Sequence, residues 1–362
     1  MREQIVYSGA NSHKKIADII AQVGATRPML VCGKKSFDVL GINEFLQSLP
    51  VKFIRFSDFA PNPIYESAIN GVKVLQDNQC DFILAIGGGS TIDTAKCIRR
   101  FAGMDAGRNY LEQTVVSDTV PMAAMPTTAG TGSESTHFAV IYYKGKKYSV
   151  AGEDVLPEFV ILDPIGLNTI PEYQKKSCYL DALCQAIESW WSVRACEESI
   201  AYAKQAISLL LENREAYFNG QNNVYEAIML GSNFAGRAIN ITTTTAAHAM
   251  SYKLTSLYGI AHGHAVALCL PYVWQMMLRH CGTEINKKFL SIANVLGCQT
   301  PEEAIAWLKC LLHDLKMYVP FTTKDDIIIL AESVNLQRLQ NNPIPLSFGE
   351  IAEIYQNIFS QM

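Results

Sequence analysis

Two histidine-containing segments, fourteen residues apart, hold the side chains of this chain best suited to chemistry. His248 lies in an alanine-rich stretch, and His262 is followed by Gly263 and a further histidine, His264. Imidazole nitrogens are common ligands of divalent metals, and they also transfer protons near neutral pH. A histidine on an apolar helix is more often an ordinary core residue, so neither segment indicates a metal by itself.

A glycine-rich segment far upstream gives the histidines a context. Gly87, Gly88, Gly89 and Ser90 follow a strand-like apolar run and precede a helical pattern. Glycine backbone amides can approach a diphosphate closely, and the N-terminus of the following helix favours that negative charge. The spacing is neither the Rossmann nor the Walker pattern, because Ile92 occupies the third glycine position, so a strand-to-helix turn without a ligand is an equal alternative. Taken with the histidines, the loop predicts hydride transfer from a dinucleotide beside a metal ion.

A second stretch rich in glycine and hydroxyl side chains covers residues 126–136 and also follows a strand-like run. Its hydroxyls, among them those of Thr127, Thr128 and Thr131, suit contacts to a phosphate or a ribose. An ordinary polar loop is the alternative interpretation. The stretch is a second candidate for the dinucleotide site.

The pattern of the chain changes near Asp163 and Pro164. Before that point, short β-branched runs alternate with amphipathic helical patterns, which predicts a parallel sheet with helices on both faces. After Pro171 the pattern is nearly all helical. The sequence therefore predicts an α/β domain over residues 1–164 and an all-α domain over residues 165–362.

The predicted elements of the first domain are strands at 29–32, 53–56, 82–86 and 121–125, helices at 14–23, 64–75 and 91–101, and a hairpin of 137–143 and 148–150 around a basic tip at 144–147. The predicted helices of the second domain are 175–193, 200–217, 224–239, 266–278, 304–317 and 350–359.

Composition excludes several classes of function. The 362 residues are 49% hydrophobic and 18% charged, which is typical of a compact globular protein, and the net charge of −4 offers no basic surface for nucleic acid. No apolar stretch is long enough to span a bilayer, and the N-terminus has no signal-like core, so we expect a cytoplasmic protein without a membrane partner. The ten cysteines show no Cys-x-x-Cys pair, which favours reduced, mostly buried thiols. A homodimer is left open.

Five ordered motifs carry a family resemblance over nearly the whole chain. They are Gly-Gly-Gly-Ser-x-x-Asp-x-Ala-Lys at 87–96, Pro-Thr-Thr-Ala-Gly-Thr-Gly-Ser-Glu at 126–134, Leu-Asp-Pro at 162–164, Asp-Ala-Leu at 181–183 and His-Gly at 262–263. The chain resembles the iron-containing (group III) alcohol dehydrogenases. The resemblance implies the dehydroquinate synthase-like fold, with an N-terminal dinucleotide-binding α/β domain, a C-terminal helical domain and a divalent metal in the cleft between them.

The resemblance also implies a ligand set for that metal. Family members use an aspartate, a histidine four residues later and two further histidines. Asp181, His248 and His262 match three of these, but Gln185 stands where the second ligand is a histidine. The amide still lies on the same helix face as Asp181, although it is a weaker ligand for Fe(II) or Zn(II) than an imidazole. The alternative is that Gln185 only packs and the site holds little or no metal.

Two further departures from the family concern catalysis. Tyr252 stands four residues after His248, where many relatives have a histidine near the nicotinamide. His264 is not required by the family pattern. With the ligand His262, Tyr252 and His264 are the catalytic candidates, since either could relay a proton to the substrate oxygen. A purely structural role for His264 is equally compatible with the sequence.

The choice of nucleotide is argued from charge. Many relatives end their first strand with an acidic residue that binds the ribose 2′-hydroxyl, but here that strand is followed by Gly33, Lys34, Lys35 and Ser36. No carboxylate in this run repels a 2′-phosphate, so NADPH is favoured over NADH. Solvated surface lysines are the alternative. Asn62, Asp93 and Lys96 complete the predicted cofactor contacts.

The substrate is predicted from a narrower resemblance. Four threonines at 242–245 precede His248, with the cations Arg237 and Lys253 nearby in sequence, and together they suit a small anionic aldehyde. Phrases at 136–140, 185–192 and 262–268 resemble the phosphonoacetaldehyde reductase branch, which makes 2-hydroxyethylphosphonate. The threonines could equally stabilise a helix start and contact no substrate.

Other functions stay open at this point. A general short-chain aldehyde or alcohol oxidoreductase and a catalytically inactive nucleotide-binding relative are the alternatives. Dehydroquinate synthase and glycerol-1-phosphate dehydrogenase share a related architecture, but the motif at 126–134 fits them poorly.

Overall fold

The computed structural model describes residues 3–114, 116 and 119–360. These form two compact units. The α/β unit comprises the chain up to Ile170 together with Gln221–Leu230, and the helical unit comprises Pro171–Gly220 and the residues from Gly231 onward. The boundary predicted after residue 164 lies six residues earlier than this one, and the start of one predicted C-terminal helix falls in the α/β unit instead.

The α/β unit contains a six-stranded, all-parallel sheet and a separate hairpin, with four α-helices among its described residues before Ile170. The strands are β1 (Ile5–Ser8), β2 (Pro28–Cys32), β3 (Ile54–Phe56), β4 (Phe82–Gly87), β5 (Met122–Pro126), β6 (Phe138–Tyr143), β7 (Lys146–Ala151) and β8 (Phe159–Leu162). The helices are α1 (Lys15–Val23), α2 (Asn43–Ser48), α3 (Tyr65–Asp77) and α4 (Gly89–Ala102). Strand order in the sheet is β1-β8-β5-β4-β2-β3, and β6 pairs with β7.

Both faces of this sheet are buried, which explains why its strands are continuous apolar runs. Because side chains alternate along a strand, Ile83 and Ala85 of β4 pack into one core cluster, which includes Ile98 of α4. Leu84 and Ile86 face the opposite way, into the cluster that includes the residues of α1. The predicted doubly covered parallel sheet is confirmed.

Strand order places the two candidate nucleotide loops at one edge of the sheet. Cys32 at the end of β2 pairs in register with Ile86 of β4, and Gly87 pairs with Pro126 of β5. From β2 the chain proceeds to β3 on one side of the sheet, and from β4 it proceeds to β5 on the other. The loops after β2 and β4 therefore diverge, and the crevice they leave is where open α/β sheets bind ligands.

The predicted elements of this unit agree with the observed ones to within a few residues. The four predicted strands correspond to β2, β3, β4 and β5, and the hairpin is present with its turn at Lys144 and Gly145, both of positive φ. The four-residue edge strand β1 and its neighbour β8 were not predicted. As a result, the strand interpreted from sequence as the first is the second strand of the fold.

The helical unit is built from long helices that pack side by side. The remaining helices of the chain are α5 (Glu172–Trp191), α6 (Glu197–Glu212), α7 (Arg214–Phe218), α8 (Tyr225–Thr242), α9 (Ala246–Tyr258), α10 (His262–Leu278), α11 (Thr283–Val295), α12 (Pro301–Asp314), α13 (Lys324–Glu332), α14 (Leu336–Leu339) and α15 (Phe348–Phe359). The helix predicted over 200–217 is interrupted at Asn213, which separates α6 from α7. Within the described part of the chain, no helix combines the length and apolarity needed to cross a bilayer.

Candidate functional site

Helix α5 carries three polar side chains on one buried face. Asp181, Gln185 and Glu188 are spaced by four and three residues, so they project from the same side of the helix. All three are almost fully buried, and Glu188 is completely so. Burying two carboxylates and an amide is costly unless each finds partners, which marks this face as a site rather than ordinary core.

The two histidines reach this face from the starts of consecutive helices. His248 is the third residue of α9, and His262 is the first residue of α10. Gly263 explains why α10 can begin so close to α5: a Cβ at this position would lie 2.0 Å from the carbonyl oxygen of Ser177 and 2.7 Å from the Cβ of Asp181. The His-Gly motif is therefore a close-packing requirement that brings His262 beside Asp181.

Asp181, His248 and His262 converge as the sequence predicts. One ligand atom from each of the three lies within 4.8 Å of the others. Asp181 Oδ1 and His248 Nε2 face each other at 3.4 Å, yet both atoms are buried and make no hydrogen bond to any described residue. A buried carboxylate oxygen and a buried imidazole nitrogen that make no hydrogen bond, with the half-buried imidazole of His262 beside them, fit a divalent transition metal.

Glu188 is the member of this centre that the sequence interpretation missed. Its Oε1 accepts hydrogen bonds from Thr245 Oγ1 at 2.6 Å and from the backbone amide of Ala247 at 2.9 Å. Its Oε2 accepts a short hydrogen bond from His248 Nδ1. A carboxylate on one ring nitrogen leaves the other nitrogen available as a ligand, which is the usual support of a metal-binding histidine. The signal in the sequence was the seven-residue spacing from Asp181 to Glu188 on one helix face.

The charges at this centre favour a protonated His248 and an ionised Asp181. Burial alone would lower the pKa of His248, but the Glu188 and Asp181 carboxylates raise it to about 9. Burial alone would raise the pKa of Asp181, but the proximity and charge of His248, the charge of His262 and a hydrogen bond from Gln185 leave it below its usual value. Without a metal, His248 is thus protonated and lies between two carboxylates. A bound metal ion would replace the proton on its Nε2.

Gln185 lies at this centre as predicted, and its side-chain amide hydrogen-bonds to Asp181. A weak fourth ligand and a neighbour that orients Asp181 are both compatible with this position. The choice between them remains a prediction.

Tyr252 and His264 lie in different surroundings. The Tyr252 ring stacks on His262, with centroids 5.7 Å apart and planes 7° apart. Two positions along a helix correspond to a rotation of about 200°, which turns His264 away from His262. The His264 ring contacts α5 instead, where its Nδ1 lies 3.1 Å from the Tyr173 hydroxyl, and burial lowers its pKa. The structure does not bring His264 together with the three ligand residues, and its predicted proton relay remains a prediction.

The threonine run before His248 serves the fold. Thr242 bonds to the carbonyl of Ala238 at 3.1 Å, and Thr243 Oγ1 accepts from Asn341 at 3.0 Å. Thr245 donates to Glu188 and accepts from the Trp191 indole at 2.9 Å. The structure favours the alternative of a structural role over substrate contact for these three hydroxyls.

Of the two cations near this run in sequence, Arg237 has partners elsewhere in the fold. Arg237 lies over the ring of Tyr202, and its Nε donates to Asn233. Both of these partners lie on helices other than the one that carries His248. Lys253 is half-buried on α9.

In the α/β unit, the two glycine-rich loops pack on each other after β4 and β5. The amide of Thr127 donates to the Gly87 carbonyl at 3.0 Å. A Cβ at Gly87 would lie 2.3 Å from Thr91, and one at Gly89 would lie 2.8 Å from Thr131, so both glycines are required by packing. At Gly88, the residue preceding α4, the nearest atom would be 3.4 Å away, on Thr128. Packing therefore requires Gly88 less than its neighbours.

Asp93 and Lys96 are buried beneath these loops. Asp93 accepts a short hydrogen bond from Ser133 and one of 2.9 Å from the Val140 amide. The Lys96 ammonium donates to the carbonyls of Thr136 and Phe138 at 2.7 and 3.0 Å. Burial lowers the pKa of Lys96 to about 8 despite the nearby carboxylates. The contacts of both side chains hold the second loop in place, and a direct contact with a cofactor stays a prediction.

The loop after β2 lies beside the glycine loop, as required for the predicted cofactor site. Lys34, Lys35 and Ser36 are exposed, and Arg55 of β3 donates to the carbonyls of Gly33 and Lys34 at 3.1 and 2.9 Å. Asn62 has a left-handed backbone conformation, and its backbone N–H donates to Ser90 Oγ at 3.2 Å, next to the start of α4.

A carboxylate that the strand-end sequence does not contain lies near this loop. Asp58, which follows β3, is 3.5 Å from the Lys34 ammonium. The segment after the neighbouring strand β3 therefore supplies an acid that the residues following β2 do not reveal.

A glycine loop at the switch point of a parallel sheet and a carboxylate–imidazole centre on helices define a class: metal-dependent oxidoreductases linked to a nucleotide. The chain belongs to the iron-containing alcohol dehydrogenase family. The family model of iron-containing alcohol dehydrogenases matches residues 4–164, and the model of the C-terminal region of that family matches residues 177–359.

Individual relatives agree with this assignment. The chain is 29% identical over 327 residues to long-chain-alcohol dehydrogenase 1 of Geobacillus thermodenitrificans, covering 84% of this chain and 82% of the relative. It is 34% identical over 211 residues to phosphonoacetaldehyde reductase of Streptomyces viridochromogenes, covering 55% and 53%. The fold matches the crystal structure of sulfoacetaldehyde reductase from Bifidobacterium kashiwanohense in complex with NAD+, with a TM-score of 0.92, 24% identity and coverage of 100% and 98%. The predicted family, fold and enzyme class are confirmed.

Proposed function

We propose that this protein is a metal-dependent aldehyde reductase that uses a nicotinamide nucleotide. The convergence of Asp181, His248 and His262, with Glu188 supporting His248, carries the proposal. A member of this family that lacked these three side chains would be expected to bind a nucleotide without catalysing reduction.

The residues present define how the reaction would be arranged. A bound divalent ion would supply a Lewis acid for the aldehyde oxygen, and a reduced nicotinamide would supply the hydride for the carbonyl carbon. Asp181, His248 and His262 would hold that ion, and Glu188 keeps His248 in the tautomer with Nε2 available. The alcohol product needs one proton, for which Tyr252, stacked on His262, is the nearest candidate donor among the predicted catalytic residues.

We further propose NADPH as the preferred nucleotide. The diphosphate would lie on the loop of Gly87 to Ser90, where half-buried backbone leads into α4. Lys35 is exposed and forms no ion pair with another described residue, so it is available to a 2′-phosphate, whereas Asp58 opposes one. Lys35→Met should weaken NADPH binding with little effect on NADH, and Asp58→Asn should tighten NADPH binding. Tighter binding of NADH than NADPH by the unmodified protein would contradict this preference.

Phosphonoacetaldehyde is the proposed substrate. Support comes from the similarity to a phosphonoacetaldehyde reductase, which covers about half of each chain at 34% identity. An anionic group needs several donors when it leaves water, since an unpaired buried charge is costly. A general aldehyde reductase is the competing function and differs only in lacking that preference.

The test combines metal analysis with turnover. We expect purified protein to bind one equivalent of Zn(II) or Fe(II) and to oxidise NADPH faster with phosphonoacetaldehyde than with propanal. Asp181→Ala should lose the metal and the activity, and Gly88→Ala should weaken nucleotide binding while the protein stays folded. Equal efficiency with both aldehydes would make the protein a general reductase. Turnover that survives thorough chelation would overturn the metal-dependent function itself.

A further inference from the structure

Arg338, from a distant part of the chain, is separated from the candidate metal centre by a single side chain, that of Tyr252. Arg338 Nη1 donates to the Tyr252 hydroxyl at 2.7 Å, and its guanidinium carbon lies 5.0 Å from the centroid of the Tyr252 ring. Tyr252 in turn stacks on His262, one of the three candidate ligands. Arginine, tyrosine and histidine therefore form a continuous row that ends at the metal centre.

The local structure holds Arg338 in this position. It is the third residue of the short helix α14, whose start is capped by the Asn335 side chain accepting from the Gln337 amide. The next residue, Leu339, is buried, and Asn341 then bonds to the carbonyls of Thr242 and Thr244 at 2.7 and 3.0 Å. The segment around Arg338 is thus tied to the start of α9, the helix that carries His248 and Tyr252.

The charge of Arg338 is not balanced by an acid. Its side chain is half-buried, and none of the ion pairs among the described residues includes it. Tyr252 is a neutral acceptor and uses one of the five N–H donors of the guanidinium. A partly buried guanidinium with unused donors is well suited to a planar or tetrahedral anion, which it can bind through two parallel hydrogen bonds.

The donors that lie close to His248 in sequence are less well placed. Arg237 is occupied by Tyr202 and Asn233. The hydroxyls of Thr242, Thr243 and Thr245 are engaged inside the fold, so the threonine run does not supply the donors. A two-carbon aldehyde is short, so if its carbonyl oxygen lay at the centre of Asp181, His248 and His262, its anionic group would lie close to the same side chains. Arg338 approaches this centre through Tyr252, whose ring stacks on His262.

We propose that Arg338, oriented by Tyr252, binds the anionic group of the aldehyde substrate and so determines specificity for phosphonate- or sulfonate-type aldehydes. The proposal rests on the proposed reductase function and adds the residue that selects the substrate class. Tyr252 then acts as a positioning residue for Arg338.

The experiment compares two aldehydes and one product across matched variants. Steady-state KM and kcat are measured with phosphonoacetaldehyde and with propanal, and 2-hydroxyethylphosphonate binding is measured by calorimetry on the metal-loaded protein with nucleotide. Arg338→Met should raise KM for phosphonoacetaldehyde and weaken product binding by about 10- to 100-fold, because charge-assisted hydrogen bonds are lost. Its kcat/KM for propanal should fall much less, because propanal has no anionic group for Arg338 to bind.

Three further variants test the mechanism. Arg338→Lys keeps the charge without the planar fork and should be intermediate. Tyr252→Phe removes the hydroxyl that orients the guanidinium, so it should weaken 2-hydroxyethylphosphonate binding less than Arg338→Met does. Because the same hydroxyl is the candidate proton donor, kcat should fall for both aldehydes in this variant. Arg279→Gln is the charge control, because Arg279 is exposed and paired with Glu353 on the surface. It should leave both aldehydes unaffected.

The outcomes separate this proposal from the function on which it rests. If the unmodified protein favours phosphonoacetaldehyde and Arg338→Met retains that preference, the assignment of Arg338 is wrong and the function stands. An equal loss for both aldehydes would also overturn it, since Arg338 would then only support the site. If the unmodified protein reduces no aldehyde, the proposed function fails, and the calorimetric comparison alone decides whether Arg338 binds the phosphonate group.

Discussion

At the scale of single residues, the contact of Glu188 with His248 gives one candidate ligand the carboxylate support that is usual for a metal-binding histidine. In Glu188→Gln, the group opposite His248 Nδ1 would be either an amide donor or a weaker neutral acceptor. The tautomer with Nε2 available would lose its support, and we expect affinity for Zn(II) to fall by about 10- to 100-fold. Competition with a chromophoric chelator measures this without relying on activity.

Glu332→Gln is the matched control for that variant, because Glu332 is an exposed residue at the end of α13. It should bind Zn(II) as the unmodified protein does. Unchanged affinity in Glu188→Gln would show that the Glu188–His248 contact has no part in binding metal.

Gln185 offers the opposite change. It sits one helical turn from Asp181 on the same buried face, where a histidine would add a third imidazole to the ligand set. We expect Gln185→His to tighten binding of Zn(II) and Fe(II), since imidazole is a better donor to these ions than an amide oxygen. Gln185→Leu, which offers no ligand atom, is the comparison. A histidine variant that binds metal no better than the leucine variant would place residue 185 outside the ligand set.

The pKa of His248 predicts how metal affinity depends on pH. In the metal-free protein this pKa is about 9, so below that pH a proton occupies the site and metal must displace it. Affinity should therefore rise about tenfold per pH unit up to that value and then level off. The raised pKa of His248 also adds to the free energy of unfolding of the metal-free protein. That contribution is complete at pH values below the ordinary histidine pKa, and it is lost as the pH rises through 9.

Chelator competition at several pH values on both sides of 9 measures the slope. Proton release on metal binding, detected by calorimetry in buffers of different ionisation enthalpy, is an independent check. A flat profile below pH 9 would mean that His248 is already neutral in the metal-free protein.

At the scale of elements, the ligands come together because α5, α9 and α10 approach one another closely. The tightest point is Gly263, where any side chain would meet the backbone of α5 at Ser177 and Asp181. Gly263→Ala should force α10 away from α5, displace His262 and lower metal affinity along with thermal stability. Metal titration and thermal unfolding measure the two effects.

Gly282 is the control glycine for this prediction. It precedes α11 and has a negative φ, and a Cβ added to it would have no atom within 4 Å, so Gly282→Ala should be neutral. Full metal affinity in Gly263→Ala would show that the close approach is not what positions His262.

At the scale of the whole molecule, the candidate ligands of the metal all belong to the helical unit, and the glycine loops all belong to the α/β unit. Each ligand should raise the melting temperature, by an amount equivalent to about 2.7 kcal/mol at ~100-fold excess over its Kd. We expect Glu188→Gln to reduce the shift produced by Zn(II) and to keep that produced by NADPH. Gly88→Ala should do the reverse. Loss of both shifts in one variant would indicate misfolding instead of a site defect.

The sequence by itself determined the class of protein. Local patterns were sufficient for the alternating strands and helices, because burial on both faces of a parallel sheet produces continuous apolar runs that are visible residue by residue. Asp181, His248 and His262 were also identifiable as candidate ligands from their residue types and their order within recognisable motifs, and the structure brings them together. The edge strand β1 was missed because it is partly exposed and lacks the continuous apolar run of the inner strands, whereas β8 has such a run, Phe159–Leu162, that was not assigned.

Tertiary structure alone decided which other side chains join that centre. Glu188 lies 60 residues from His248 and Arg338 lies 86 residues from Tyr252, and no local pattern relates such positions. Neighbours in sequence were misleading for the same reason: Arg237 and the threonines precede His248 along the chain but are bonded inside the fold. Hydrogen bonds and ion pairs depend on distances of a few ångströms, and only the packing of helices, as at Gly263, brings residues that are remote in sequence within that range.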